Sequence, residues 1–258
     1  MRRCRSADRC VVIRSRWVAR WQQKAVALIL HQSFEVAGNM QNAGWPTPRD
    51  GRRARLAAAL AGLVVAICGA DAANAIEMSP AVAELYSKVS IFPPSAKSMT
   101  VCYGFVCRRR EILDFSAGDR NALTQIIASG HASAAAERAA VQKAVTWFDR
   151  RMGPVIGTNK RVAKADFRYF DDKHNYDCWD TTRNTTSLLL VLQEWRLLKY
   201  HVVGDPHYRG NTLVLQTPHN TAVLVERATR VEWVVDLWPR GYLQPPDVMT
   251  VSKWVTED

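Results

Sequence analysis

The apolar pattern of this chain changes period once, and that change decides what it can fold into. Over Val141, Ala144, Val145, Phe148 and Met152, and again over Leu188, Leu189, Leu192, Trp195 and Leu198, apolar residues return at helical steps and line one face of a helix. From Gly210 onward the pattern turns to strands: "TLVLQ" (212–216), "HNTAVLVER" (219–227) and "VEWVVDLW" (231–238), the last two joined by a turn centred on Ala228-Thr229. Helices first and antiparallel strands after is an α+β order. The expectation is amino-terminal helices packed on an antiparallel β-sheet.

Local signals fill in the elements. Residues 76 to 100, with Pro80 and Pro93-Pro94, read as an extended lead-in with one short helix, and "CYGFVCRRREILDF" as a strand or hairpin edge. Asp119 is placed to cap a helix over "RNALTQIIAS" that stops at Gly130. The next helix is expected to stop at Gly153-Pro154, and 155–175 to be a long polar loop. A further helix starts near Cys178 and runs to about Lys199, and "YHVV" is a short strand ended by Gly204-Asp205-Pro206.

Not all of the chain is expected in that fold. "RRARLAAALAGLVVAICGADAANA" (52–75) has three arginines, an apolar stretch and a small-x-small end at Ala73-Asn74-Ala75, the layout of a secretory leader cleaved after Ala75. The stretch is about 15 residues, short of the roughly 20 that cross a bilayer, so no stable membrane anchor is expected after cleavage. Met40 would begin a leader of ordinary length over 40–75, and residues 1–39 read as a spurious or disordered extension. That leaves 76–258 as a single exported domain, periplasmic or secreted. Composition matters here: the chain's net charge is +11, but residues 1–75 hold 12 of the 35 basic and 4 of the 24 acidic residues. The remainder has 23 against 20, a net +3, and the case for a nucleic-acid partner vanishes.

Three cysteines stay in that domain. Cys102 and Cys107 in "VCYGFVC" are spaced for a local disulfide in an oxidising compartment. A metal site is the weaker reading, since two thiols make half a site, and four intervening residues are too many for a redox pair on a helix. Cys178 is left unpaired.

Cys178 sits at the polar start of its helix in "HNYDCWDTTRNTT", with Asn175 or Asp177 as N-cap. Unpaired amides and the helix dipole there favour a thiolate, the nucleophilic form, while Asp177 and Asp180 oppose it. If the strands pair about Ala228-Thr229, facing residues sum to 457 and Asp236 lies opposite Thr221. Thr221 is two residues from His219, so His219 and Asp236 share a face as diagonal neighbours. An aspartate on one ring nitrogen fixes the tautomer and frees the other to meet a thiol; a one-residue slip would separate the pair. Each residue alone also has an ordinary role: a buried small hydrophobe for Cys178, a solvent-facing strand end for His219, a carboxylate closing a strand or capping a turn for Asp236.

"DCWDTTRNTT" at Cys178, "PHNTAVLV" at His219 and "WVVDLW" at Asp236, spanning roughly 165 to 240, resemble the bacterial transglutaminase-like cysteine proteinases, a transglutaminase-like branch of the papain-type enzymes. The resemblance implies a transglutaminase-like or papain-like core with Cys178 as nucleophile, His219 as general base and Asp236 as its orienting partner. It also implies peptide hydrolysis, amide transfer or related acyl chemistry. Asn220 and Thr221 depart from a family that often has an aromatic soon after the histidine, and some relatives only bind. Asn175 and Trp179 are candidate side-chain oxyanion donors beside the Cys178 amide.

The leading expectation is an exported thiol-dependent peptidase or amidase acting on peptide, protein or cell-wall material, with no cofactor and no metal. The alternative is a non-catalytic periplasmic binding or scaffold protein that keeps the fold.

Overall fold

In the computed structural model, residues 76–210 and 217–256 are described. The expected extension (1–39), the expected leader (40–75) and the expected strand over 212–216 lie outside them. The architecture is mixed α and β with antiparallel sheets. Helix α1 (Pro80–Ser87) precedes a hairpin of β1 (Ser98–Tyr103) and β2 (Arg109–Asp114). Helices α2 (Ala117–Ala128), α3 (Ala134–Ile156) and α4 (Cys178–Glu194) follow. Strands β3 (His201–Val203), β4 (His207–Arg209), β5 (His219–Glu226), β6 (Glu232–Asp236) and β7 (Asp247–Thr250) come next. The single turn α5 (Val251–Trp254) comes last. β5 is central: β6 lies on one flank, and β3 and β4 share the other, on opposite halves of the strand. β7 extends the sheet beyond β6.

α4 forms the spine and is buried from Asp180 to Leu192. Its carboxyl-terminal half supplies Leu188, Leu189, Leu190, Val191 and Leu192 to a core shared with Phe148 and Met152 of α3, Leu123 and Ile127 of α2, and Tyr86 of α1. Its amino-terminal half is polar, and burying polar groups is tolerable only with partners. Asn184 brackets Cys102, accepting its N–H and donating to its carbonyl, both at 2.8 Å. The Arg183 Nε donates to Leu85 O at 2.8 Å, and Thr182 Oγ1 to Asn220 Oδ1 at 3.0 Å. These bonds tie the helix to β1, α1 and β5, at about 1 kcal/mol net each.

Several boundaries differ from the sequence reading. α3 continues through Gly153-Pro154 to Ile156 and ends at Gly157, in the left-handed region at φ 81°. Pro154 lies in the last turn, and the carbonyl its missing N–H cannot serve belongs to exposed Arg150. Gly153 is there because a Cβ would come within 2.4 Å of the Tyr242 ring. α4 stops at Glu194, short of Lys199: Arg196 is left-handed (φ 58°) and Leu197 N–H returns to Leu192 O at 3.0 Å. That is a Schellman closure without the usual glycine. α2 is capped by Ser116, with Asp119 completing a capping box from inside. The loop over 155–175 carries two 3₁₀ turns, Thr158–Lys160 and Phe167–Tyr169.

Two buried ionic sites brace the frame. Arg161 makes paired bonds to Asp149 at 2.8 and 2.6 Å. Fully buried Glu137 accepts the amides of Lys199, Tyr200 and His201 and the His201 ring nitrogen Nδ1 at 2.6 to 3.0 Å.

Candidate active site

The strand register is the one that keeps His219 and Asp236 together. Ala222 faces Val235, Val223 faces Val234 and Leu224 faces Trp233, so facing residues sum to 457 and Asp236 is level with Thr221. Across that diagonal His219 Nε2 lies 2.6 Å from Asp236 Oδ2. Both side chains are only 2% exposed. The same oxygen accepts the Trp254 indole N–H at 2.9 Å, and the Trp238 amide reaches Oδ1 at 3.3 Å. The imidazole contacts the rings of Trp238 and Trp254, with centroids at 4.6 and 5.4 Å. Its other nitrogen, Nδ1, is buried with no hydrogen-bond partner among the described residues. A buried ring nitrogen with no protein partner is costly unless it has a task.

Cys178 is the first residue of α4, half-buried and unpaired. Asp177 is its N-cap, accepting the Asp180 amide at 2.7 Å. The backbone amide of Asn220, next to His219, lies close enough to the Cys178 thiol to favour its charged form, which brings the thiol to the amino-terminal end of β5. The cleft in front of the thiol has a volume of about 810 Å³, and Phe105, Phe167, Phe170, Trp179 and Trp238 form most of its apolar wall.

The electrostatics favour the protonated thiol at rest. Burial pushes the thiol up to about 12, with Asp177 and then Asp236 adding to the rise and the Asn220 amide pulling against it. The amides of the first turn, expected to favour a thiolate, are outweighed here by desolvation and two carboxylates. Burial also raises both Asp177 and Asp180, and Asp177 adds to the rise at Asp180.

What holds those two carboxylates is the disulfide loop. Cys102 and Cys107 are bonded, and in the loop they close Gly104, Phe105, Val106 and Cys107 itself are all left-handed, with φ of 74°, 66°, 52° and 55°. Three consecutive amides therefore point one way: Phe105 and Cys107 donate to Asp180 at 2.9 and 2.7 Å, and Val106 to Asp177 at 2.7 Å. Side chains in this region cost roughly 1 kcal/mol or more each, and the carboxylates offset that cost. The loop is thereby fastened to the first turn of α4, with Phe105 and Val106 facing the cleft.

The remaining candidates separate. Trp179 lines the cleft. Asn175 does not serve there: its Nδ2 donates to Asp172 and its Oδ1 accepts the Val162 amide, both at 2.8 Å, so it ties the 162–175 loop instead. His174 pairs with Asp172, His201 with Glu137 and His207 with Glu232, each at 2.9 Å. Among the described residues no group of three or more His, Cys, Asp or Glu side chains is arranged to hold a metal ion. Trp254 and the loop amides were missed by sequence reasoning. A backbone donor has no residue signature, and Trp254 reads as an ordinary apolar residue. No family model, no curated protein and no solved structure matches this chain.

Proposed function

We propose that the chain is a thiol-dependent acyl-transfer enzyme, a peptidase or amidase with a transglutaminase-like or papain-like core. The observation that carries this reading is the buried His219 Nδ1, left without a partner while Nε2 is held by Asp236 and the thiol lies beside Asn220. In this reading the thiol rests protonated. As Sγ attacks the substrate's acyl carbon, its proton passes to Nδ1, and Asp236 stabilises the imidazolium. The leaving amine then takes that proton from Nδ1 and departs, giving a thioester. Water or a second amine attacks the thioester, with His219 again as base, and regenerates the thiol. The Cys178 amide is the oxyanion donor, since N–H groups of a first helical turn have no intrahelical acceptor. Substrates are exported peptides, proteins or cell-wall amides, and the compartment is the periplasm or outside the cell.

One observation favours a second reading. A thiol raised to about 12, with two carboxylates contributing, also suits a non-catalytic binding protein that presents the aromatic cleft. Stopped-flow acylation with p-nitrophenyl acetate separates the two. The enzyme gives a burst of nitrophenol and an acetyl adduct on Cys178, both lost in Cys178→Ser and in His219→Ala. A chain with neither burst nor adduct is a binding protein.

A further inference from the structure

The last described helix reaches the His219–Asp236 pair through one indole. Thr250 caps α5 by accepting the Lys253 amide at 3.3 Å, and the turn drives Trp254 inward until it is 1% exposed. There its Nε1 meets Asp236 Oδ2 at 2.9 Å, the atom that also takes His219 Nε2. Arg209 lies over the indole, with its guanidinium 4.4 Å from the ring centroid, and also donates to the Trp254 carbonyl. A tryptophan that only filled space could satisfy its N–H on any nearby carbonyl. This one converges on the oxygen that orients the imidazole.

We propose that Trp254 is a positioning residue for the Cys178–His219–Asp236 triad: its N–H fixes the carboxylate rotamer, and through it the ring plane that leaves His219 Nδ1 free. The inference rests on the acyl-transfer reading. Two donors on Oδ2 define the carboxylate's orientation better than one, and by sharing its charge the indole keeps Oδ2 from drawing the proton off Nε2. Other ionisable groups face this pair from the elements around it. Cys178 and Asp177 stand at the start of α4, and Arg209 lies opposite His219 on β4. Asp247 lies opposite Asp236 on β7, with Arg240 paired to it. Trp254→Phe keeps all of them, and a ring beneath Arg209, while removing the N–H.

In the full-length chain, Trp254→Phe should lower the His219-dependent rate of Cys178 alkylation by iodoacetamide about 10-fold or more. The acid-side inflection of the pH–rate profile should move upward, because Oδ2 without the indole bears more charge toward the imidazolium. A variant that melts earlier but keeps rate and inflection within twofold of the parent makes Trp254 a packing residue and overturns the proposal. Should the variant not fold, the parent chain still decides by NMR: the Trp254 indole proton should shift with the same midpoint as the His219 ring, and an indole that is flat across that midpoint overturns the proposal. A parent Cys178 that alkylates no faster than in His219→Ala, with the indole still titrating, defeats the acyl-transfer reading and the positioning role with it. That outcome leaves only the hydrogen-bond chain.

Discussion

Replacing Asp236 by Asn should be tolerated far better than replacing it by Ala, because of where the donors fall. Both strong donors, His219 Nε2 at 2.6 Å and Trp254 Nε1 at 2.9 Å, converge on Oδ2, whereas Oδ1 takes only the longer Trp238 amide at 3.3 Å. The Asn oxygen should therefore settle at Oδ2 and its NH₂ at Oδ1. The flipped amide would face two buried donors with a third, at about 1–3 kcal/mol for each group left unpaired. The tautomer survives; what is lost is the carboxylate's charge. An opposite charge in contact favours an imidazolium, so the inflection of the acylation profile should fall. A weaker base is also a slower one, and the plateau rate should drop by roughly 10-fold. Asp236→Ala loses orientation as well, and its rate should fall by on the order of 10⁴-fold. Burst acylation by p-nitrophenyl acetate from pH 5 to 9, run on both variants, reads these numbers. An Asn variant as inert as the Ala variant would refute the reasoning, since it would mean that convergence on Oδ2 does not hold the amide oxygen. An unmoved inflection would refute it equally.

Elsewhere in the fold the outcomes concern stability. Glu137→Ala strands the amides of Lys199, Tyr200 and His201 together with the His201 ring; urea unfolding should show a loss of about 3–5 kcal/mol. Burial would raise the Glu137 carboxyl, but His201 and the amides outweigh it and hold it below its ordinary value of 4.5. A depressed carboxyl contributes stability above its unfolded value and loses it as pH falls through the folded one. Acid unfolding should therefore steepen below about pH 4.5 in the parent and flatten in Glu137→Gln. Opening the Cys102–Cys107 loop with the double Ser substitution should lower unfolding stability by about 2 kcal/mol, the chain-entropy value for so short a loop. It should also raise KM more than it changes kcat, since Phe105 and Val106 line the cleft.

The sequence already contained the register of β5 and β6, because alternation and a single turn leave little freedom: the sum of 457 for facing residues appears in the Ala222–Val235 pairing. The start of α4 was legible from its polar entry, although only the folded chain chooses Asp177 over Asn175 as its cap. The end of α4 was not, since Arg196 takes a conformation usually left to glycine. Asn175 and Asp180 look alike as polar residues near a thiol. Which of them ties a loop and which clamps the disulfide turn depends on partners more than 70 residues away for Asp180 and on Asp172 and Val162 for Asn175. Glu137 shows the same limit. In "AAAERAA" it reads as a solvated residue in a first helical turn, and only the folded chain brings the 199–201 amides to it.

The most direct test of the central claim is the pH dependence of Cys178 alkylation by iodoacetamide in the parent chain and in His219→Ala. A half-buried thiol raised to about 12 hardly reacts by itself near neutrality, so fast labelling there has to draw on the imidazole. The parent should show an inflection that is absent from His219→Ala, which should label slowly with a rate still climbing at high pH. Two identical profiles that both rise only toward high pH would contradict it: Cys178 would then be a structural thiol beside a histidine that never takes its proton.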